Sequence, residues 1–147
     1  MPLRLVLDSN VWLDWVVFGD PAIRPVQDLV SAGRAEIIID EGCDAELVRV
    51  LGYPLQKWTL DAEAQAACIR RFRDIARRVT PSPAGKLPVC RDPDDQKFLE
   101  LAASCGAHCL VTKDRALLKL AKRRYALPFH IVTPAEFPQL PGVESGA

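Results

Sequence analysis

The chain has 147 residues, the length of one domain and enough to bury a substantial core. Lys+Arg and Asp+Glu balance at 19 each, which excludes a global basic field for indiscriminate polyanion binding, so any nucleic-acid site must be local. Its 5 cysteines form no CxxC pair and no apolar run nears the roughly twenty residues of a membrane span, so the sequence predicts reduced thiols, no membrane contact and a cytoplasmic location.

In chain order, Leu3 to Leu7 is an apolar run that suits a strand buried on both faces, and it stops on Asp8. Ligands of open α/β sheets sit at the carboxyl ends of strands, which makes Asp8 a candidate for chemistry. The competing reading is that Asp8 only caps the following helix. Val11 to Phe18 is apolar nearly all round, broken by Asp14, so the sequence predicts a helix that shares its Trp12, Trp15 and Phe18 surface with a homodimer or another partner. Pro21 to Ala32 reads as a helix with Asp20 as cap and Gly33 past its end. Glu36 to Ile39 is a second strand, and a helix through Glu46 to Leu51 follows, closed by Gly52.

The next helix is expected from a Thr59 cap to about Arg78. At 100° per residue, Arg70, Arg71, Arg73, Arg77 and Arg78 lie opposite Ile69, Phe72, Ile75 and Val79. That stripe is either a solvated face or a set of phosphate contacts, with Arg70, Arg73 and Arg77 as candidate RNA-binding residues. Thr80 to Pro88 reads as a surface loop. Pro93 and its neighbouring acids start a helix that ends at Gly106, Cys109 to Thr112 is a third strand, and a helix runs from Asp114 through Arg124. Phe129 to Val132 is a last strand, Thr133 to Phe137 a short capped turn, and residues 138–147 a disordered tail. The domain is thus expected over residues 1–137.

Asp8 and Asp114 each end a strand, Glu46 lies in the helix after the second strand, and Asp95 opens the helix that feeds the third. Parallel strands joined by right-handed crossovers carry their carboxyl ends to one side, so these acids can converge. Converging carboxylates repel unless a cation joins them, and hard oxygen ligands select Mg²⁺ or Mn²⁺. Asp92 and Asp94 compete with Asp95 for its place, and Glu41 and Asp44 with Glu46.

The segments LVLDSNVWLDWVV, AEIIIDEGCDAELVRVL, VCRDPDDQKFLELAASCGAHCLVTKDRALL and IVTPAEF together resemble the PIN-domain family, in particular its branch of toxins from toxin–antitoxin systems. The resemblance spans roughly Leu3 to Phe137. It implies a three-layer, Rossmann-like α/β fold with a mainly parallel sheet and the activity of a Mg²⁺- or Mn²⁺-dependent endoribonuclease, with RNA as substrate and an antitoxin protein as partner. It also implies that Asp8, Glu46, Asp95 and Asp114 are the catalytic acids, that Asp8, Asp95 and Asp114 hold the metal, and that Asn10 and Thr112 support them. Two positions depart from the family pattern: Ser9 replaces Thr in the opening motif, and Lys113 replaces the Gly before the last acid. The alternative is a non-catalytic RNA- or protein-binding module on the same fold. A phosphatase of the haloacid dehalogenase type also begins on a strand-end Asp, but its second Asp would stand where this chain has Asn10.

Overall fold

Five short strands pair side by side, all parallel, in the order β3-β2-β1-β4-β5. They are β1 (Leu3–Leu7), β2 (Ala35–Ile39), β3 (Ala76–Arg78), β4 (Cys109–Val111) and β5 (His130–Val132). The computed structural model describes residues 2–55, 59–81, 87, 93–122, 127–140 and 143, without the side chains of residues 93, 94 and 122. Among the described residues six α-helices connect the strands: α1 (Ser9–Leu13), α2 (Arg24–Ser31), α3 (Glu41–Leu51), α4 (Ala62–Ile75), α5 (Pro93–Ser104) and α6 (Arg115–Lys122). Consecutive residues of a strand point to opposite faces, yet Leu5, Val6 and Leu7 are all buried, as are Ile37, Ile38 and Ile39. Both faces of the sheet are therefore covered, which gives the three-layer α/β architecture expected from the apolar strand runs.

The local signals explain most helix starts. Asp40 Oδ1 accepts from Cys43 N at 2.8 Å to open α3, and Asp20 Oδ1 accepts from Ala22 N at 2.9 Å to open the 3-10 turn Pro21–Ile23 ahead of α2. After β5, Thr133 and Glu136 cap each other's backbone N–H groups at 3.1 Å, a capping box ahead of the 3-10 turn Phe137–Gln139. Packing continues past residue 137, because Val143 is buried and its N–H donates to Leu140.

Three expectations change. The helix after residue 59 is capped by Asp61, not Thr59, and it ends at Ile75. Ala76 to Arg78 leave the helical path to pair with Ile37 to Ile39 as a fifth strand, because hydrogen bonding to an open sheet edge outweighs the helix propensity of the arginines. Val11 to Phe18 is not one α-helix either: α1 gives way to a π-helical turn over Asp14–Phe18, which ends at Gly19 with φ +60°. Trp12 and Trp15 stack at 5.8 Å inside the chain, and both are buried. Trp12 also packs against the fully buried Phe72, so the two tryptophans belong to the core of a single chain, while Phe18 is only half-buried.

Candidate functional site

The sheet reverses its direction of growth between β1 and β4. From β1 the chain proceeds outward to β2 and β3, then returns to add β4 and β5 on the other side. The crevice beyond the carboxyl ends of such a pair is where open α/β sheets hold their ligands. Leu7 is in register with Val111, so Asp8 and Thr112 are neighbours one step beyond the paired residues.

Asp8 is a helix cap with one oxygen and faces the neighbouring strand with the other. Its Oδ1 caps α1 by accepting from Val11 N at 2.9 Å, which fixes the carboxylate's rotation and turns Oδ2 toward β4. There Oδ2 accepts a hydrogen bond from the Thr112 hydroxyl. The same hydroxyl oxygen accepts from Asp114 N at 3.0 Å, so one fully buried side chain ties the two strand-end acids together. Asp114 repeats the arrangement: Oδ1 accepts from Ala116 N at 2.8 Å and from Leu117 N at 3.1 Å, and Oδ2 has no hydrogen-bond partner among the described residues.

Asp8 is only 4% exposed, and burial pushes its carboxyl from the ordinary 3.8 to about 6; the negative charge of Asp114 adds to the rise, while the Thr112 and Val11 hydrogen bonds and Lys113 oppose it. A carboxylate that is dry and faces another carboxylate is destabilised in its charged form, and a cation between the two relieves it.

Glu46 stands on the inner side of α3, and its two oxygens are both engaged. Oε2 accepts from Ser9 Oγ at 2.5 Å, and Oε1 accepts from Lys97 Nζ at 2.7 Å. Through Ser9 it is joined to the residue next to Asp8. Of its competitors, Glu41 is exposed at the start of α3, and Asp44 is buried in a two-pronged bond with Arg73 at 2.8 and 3.1 Å. Asp95 is half-buried in the first turn of α5 and makes interactions of its own. Asp92 and the Asp94 side chain lie outside the described residues, as does Arg124. Asn10 is exposed on α1, and Ser9 rather than Asn10 supplies the hydroxyl that reaches an acid.

Sequence reasoning passed over Lys97 and met Lys113 only as a departure from the family pattern, without its partner. Lys97 contacts Glu46, and Lys113, which stands where the family pattern has Gly, forms an ion pair at 2.6 Å with the buried Asp14 of the π-helical turn. The arginine stripe is divided. Arg70 is exposed on α4, Arg73 is held by Asp44, and Arg77 lies on β3 and bonds Glu36 at 3.2 Å. A cavity of about 350 Å³ opens at the opposite end of the sheet, beside Leu3, His108 and His130. It lies at the amino ends of the strands, away from the acids at their carboxyl ends.

Among the described residues no three His, Cys, Asp or Glu side chains are gathered closely enough to enclose a metal ion. That geometry still suits Mg²⁺, which keeps several waters and is commonly held by one or two carboxylates together with substrate phosphates. Asp8 and Asp114 are such a pair: hard oxygen donors, mutually repelling, with a defined orientation. No helix of the described residues is long and apolar enough to cross a membrane. Residues 4–116 match the family model for the PIN domain. No curated protein matches the chain.

Proposed function

Because the chain belongs to the PIN-domain family, whose members are in general nucleases, we propose that it is a Mg²⁺- or Mn²⁺-dependent endoribonuclease working at the Asp8–Asp114 edge. The single observation that carries the reading is the Thr112 bridge, in which one hydroxyl bonds the Asp8 carboxylate and the backbone N–H of Asp114 at the switch point of the sheet. Asp8 and Asp114 would hold the ion, and Asp95 at the start of α5 is added as a third acid from the family pattern alone. When bound, the ion neutralises the acids and draws charge from the phosphate oxygens under attack.

The protein's own part is orientation. Thr112 holds Asp8 Oδ2 and the Asp114 backbone, and the two helix caps hold Asp8 Oδ1 and Asp114 Oδ1. Glu46, fixed by Ser9 and Lys97, is a positioned acceptor for the attacking water. That water adds its oxygen to phosphorus in line with the leaving oxygen, the phosphorus bond to the leaving oxygen breaks, and the water's proton is released as the leaving oxygen gains one. RNA is the proposed substrate, with Arg70 as a candidate phosphate contact. By the likeness of its motifs to toxin PIN domains, the chain's proposed setting is the cytoplasm with an antitoxin as partner. A homodimer would use a surface other than Trp12 and Trp15, which are buried.

The test is cleavage of a single-stranded RNA by the purified chain with Mn²⁺, with excess chelator, and in Asp8→Asn and Asp114→Asn. Cleavage that needs the metal and is lost in both variants is expected. Metal-bound, folded protein that leaves RNA intact would favour the non-catalytic binding module.

A further inference from the structure

Lys97 stands on the fifth residue of α5 and reaches across to α3, where its Nζ lies 2.7 Å from Glu46 Oε1. The pair is well shielded, at 24% exposure for the lysine side chain and 11% for the glutamate. The ammonium also lies 5.6 Å from the Phe98 ring centroid, which favours a cation at that place. Since Ser9 takes the other glutamate oxygen, Glu46 is satisfied at both oxygens and matched in charge. Asp8 and Asp114 differ: among the described residues neither makes an ion pair, and the neighbouring Lys113 is paired with Asp14. Among the described residues Glu46 thus already carries a cation, and Asp8 and Asp114 have no ion-pair partner.

We propose that Lys97 is a built-in second cation, occupying beside Glu46 the place that another divalent ion would take, so that the centre loads one divalent ion per chain. This rests on the metal-dependent reading above. Two-ion nucleases set their metals about 4 Å apart and share carboxylates between them. A centre of that kind needs unmatched charge at both positions. Here the second position is filled by a side chain that also braces α5 against α3, and Lys97 acts as a positioning residue for Glu46. A fixed ammonium cannot move between ligands as an ion does, so Glu46 keeps one orientation whether or not the first ion is bound.

The experiment is a Mn²⁺ titration of the full chain, read by calorimetry and by electron paramagnetic resonance of free Mn²⁺, on wild type, Lys97→Gln, Lys97→Arg and Glu46→Gln. Wild type should bind one ion. Lys97→Gln should gain a second, weaker site, Lys97→Arg should return the count to one, and Glu46→Gln should bind one ion within about threefold of wild-type affinity, since Glu46 is not that ion's ligand. Should Lys97→Gln not fold, Glu46→Gln decides alone, because it removes the negative charge without leaving a buried carboxylate unpaired. Two ions in wild type, an unchanged single ion in folded Lys97→Gln, or loss of the ion in Glu46→Gln overturns the role of Lys97 and leaves the metal-dependent reading in place. No ion in wild type overturns both.

Discussion

The Thr112 hydroxyl donates to Asp8 Oδ2 across 104 residues of sequence, and it is the only side chain among the described residues that bonds to both strand-end acids' segments. Thr112→Val keeps the shape but removes the donor to a buried carboxylate and the acceptor for Asp114 N. The expected cost is about 1–3 kcal/mol, the range for a buried polar group left without its partner. Thr112→Ser should recover most of it, since the hydroxyl returns. Urea melts of the three proteins check this, and a Thr112→Val midpoint equal to wild type would remove the bridge from the account.

Asp8 also sets a pH dependence. Its folded-state carboxyl is raised from 3.8 to about 6 by burial, so the native state binds that proton more tightly than the unfolded chain. With this sign, the Asp8 contribution stabilises the metal-free protein at acid pH and fades as pH rises between about 4 and about 6, with a span of roughly 3 kcal/mol. Ion-paired acids elsewhere change in the opposite direction, so the quantity to measure is the difference between wild type and Asp8→Asn in chelator. That difference should shift in favour of Asp8→Asn as pH is raised through the window, and a flat difference would contradict the origin given for the shift.

The arginines of the former stripe should separate. Arg73→Gln leaves Asp44, which is buried, without its two-pronged partner. Because Arg73 itself is about half exposed, the expected loss is about 1–2 kcal/mol, less than the 3–5 of a fully buried pair. Arg70→Gln should leave stability unchanged. If Arg70 contacts RNA, its replacement lowers the log–log salt slope of binding by roughly 0.7, the value for one phosphate on a single strand. The readings are a thermal melt for the first and a salt series of RNA affinity for the second.

How far the sequence carried the fold and the site depended on whether the signal was local. The β1 run, the Asp20 cap and the capped turn Thr133 to Phe137 are each written within a few residues, and all of them appear in the structure. Asp8 and Asp114 were legible for the same reason, each standing at the end of an apolar strand. Ala76 to Arg78 was not, since a three-residue edge strand exists only once Ile37 to Ile39 offers it hydrogen bonds. Asp14 did carry a signal, a lone acid in an apolar stretch, which requires a partner if buried. Its partner Lys113 lies 99 residues away, and no spacing rule reaches that far. Lys97 was hidden similarly, although a cation just after the acids that open α5 hints at a partner outside the helix. The burial of Trp12 and Trp15 was not legible because their partners are each other and the distant Phe72, and the π-helical turn that follows α1 has no local sequence signal.

Capping and metal binding make separable demands on Asp114. An asparagine caps a helix about as well as an aspartate, so Asp114→Asn should preserve the bonds to Ala116 N and Leu117 N. It also removes a charge that disfavours ionised Asp8, so the metal-free melting temperature should hold or rise. What the variant lacks is the second hard oxygen for the ion. Wild type in Mn²⁺ at about a hundred times its dissociation constant should gain near 2.7 kcal/mol of stability, and Asp114→Asn should lose most of that gain. Asp95→Asn tests the third acid in the same way, and Asp44→Asn, at an acid held by Arg73, should keep the full gain. A metal-dependent shift that survives in Asp8→Asn, Asp95→Asn and Asp114→Asn alike would leave these acids as helix caps and remove the basis for the nuclease proposal.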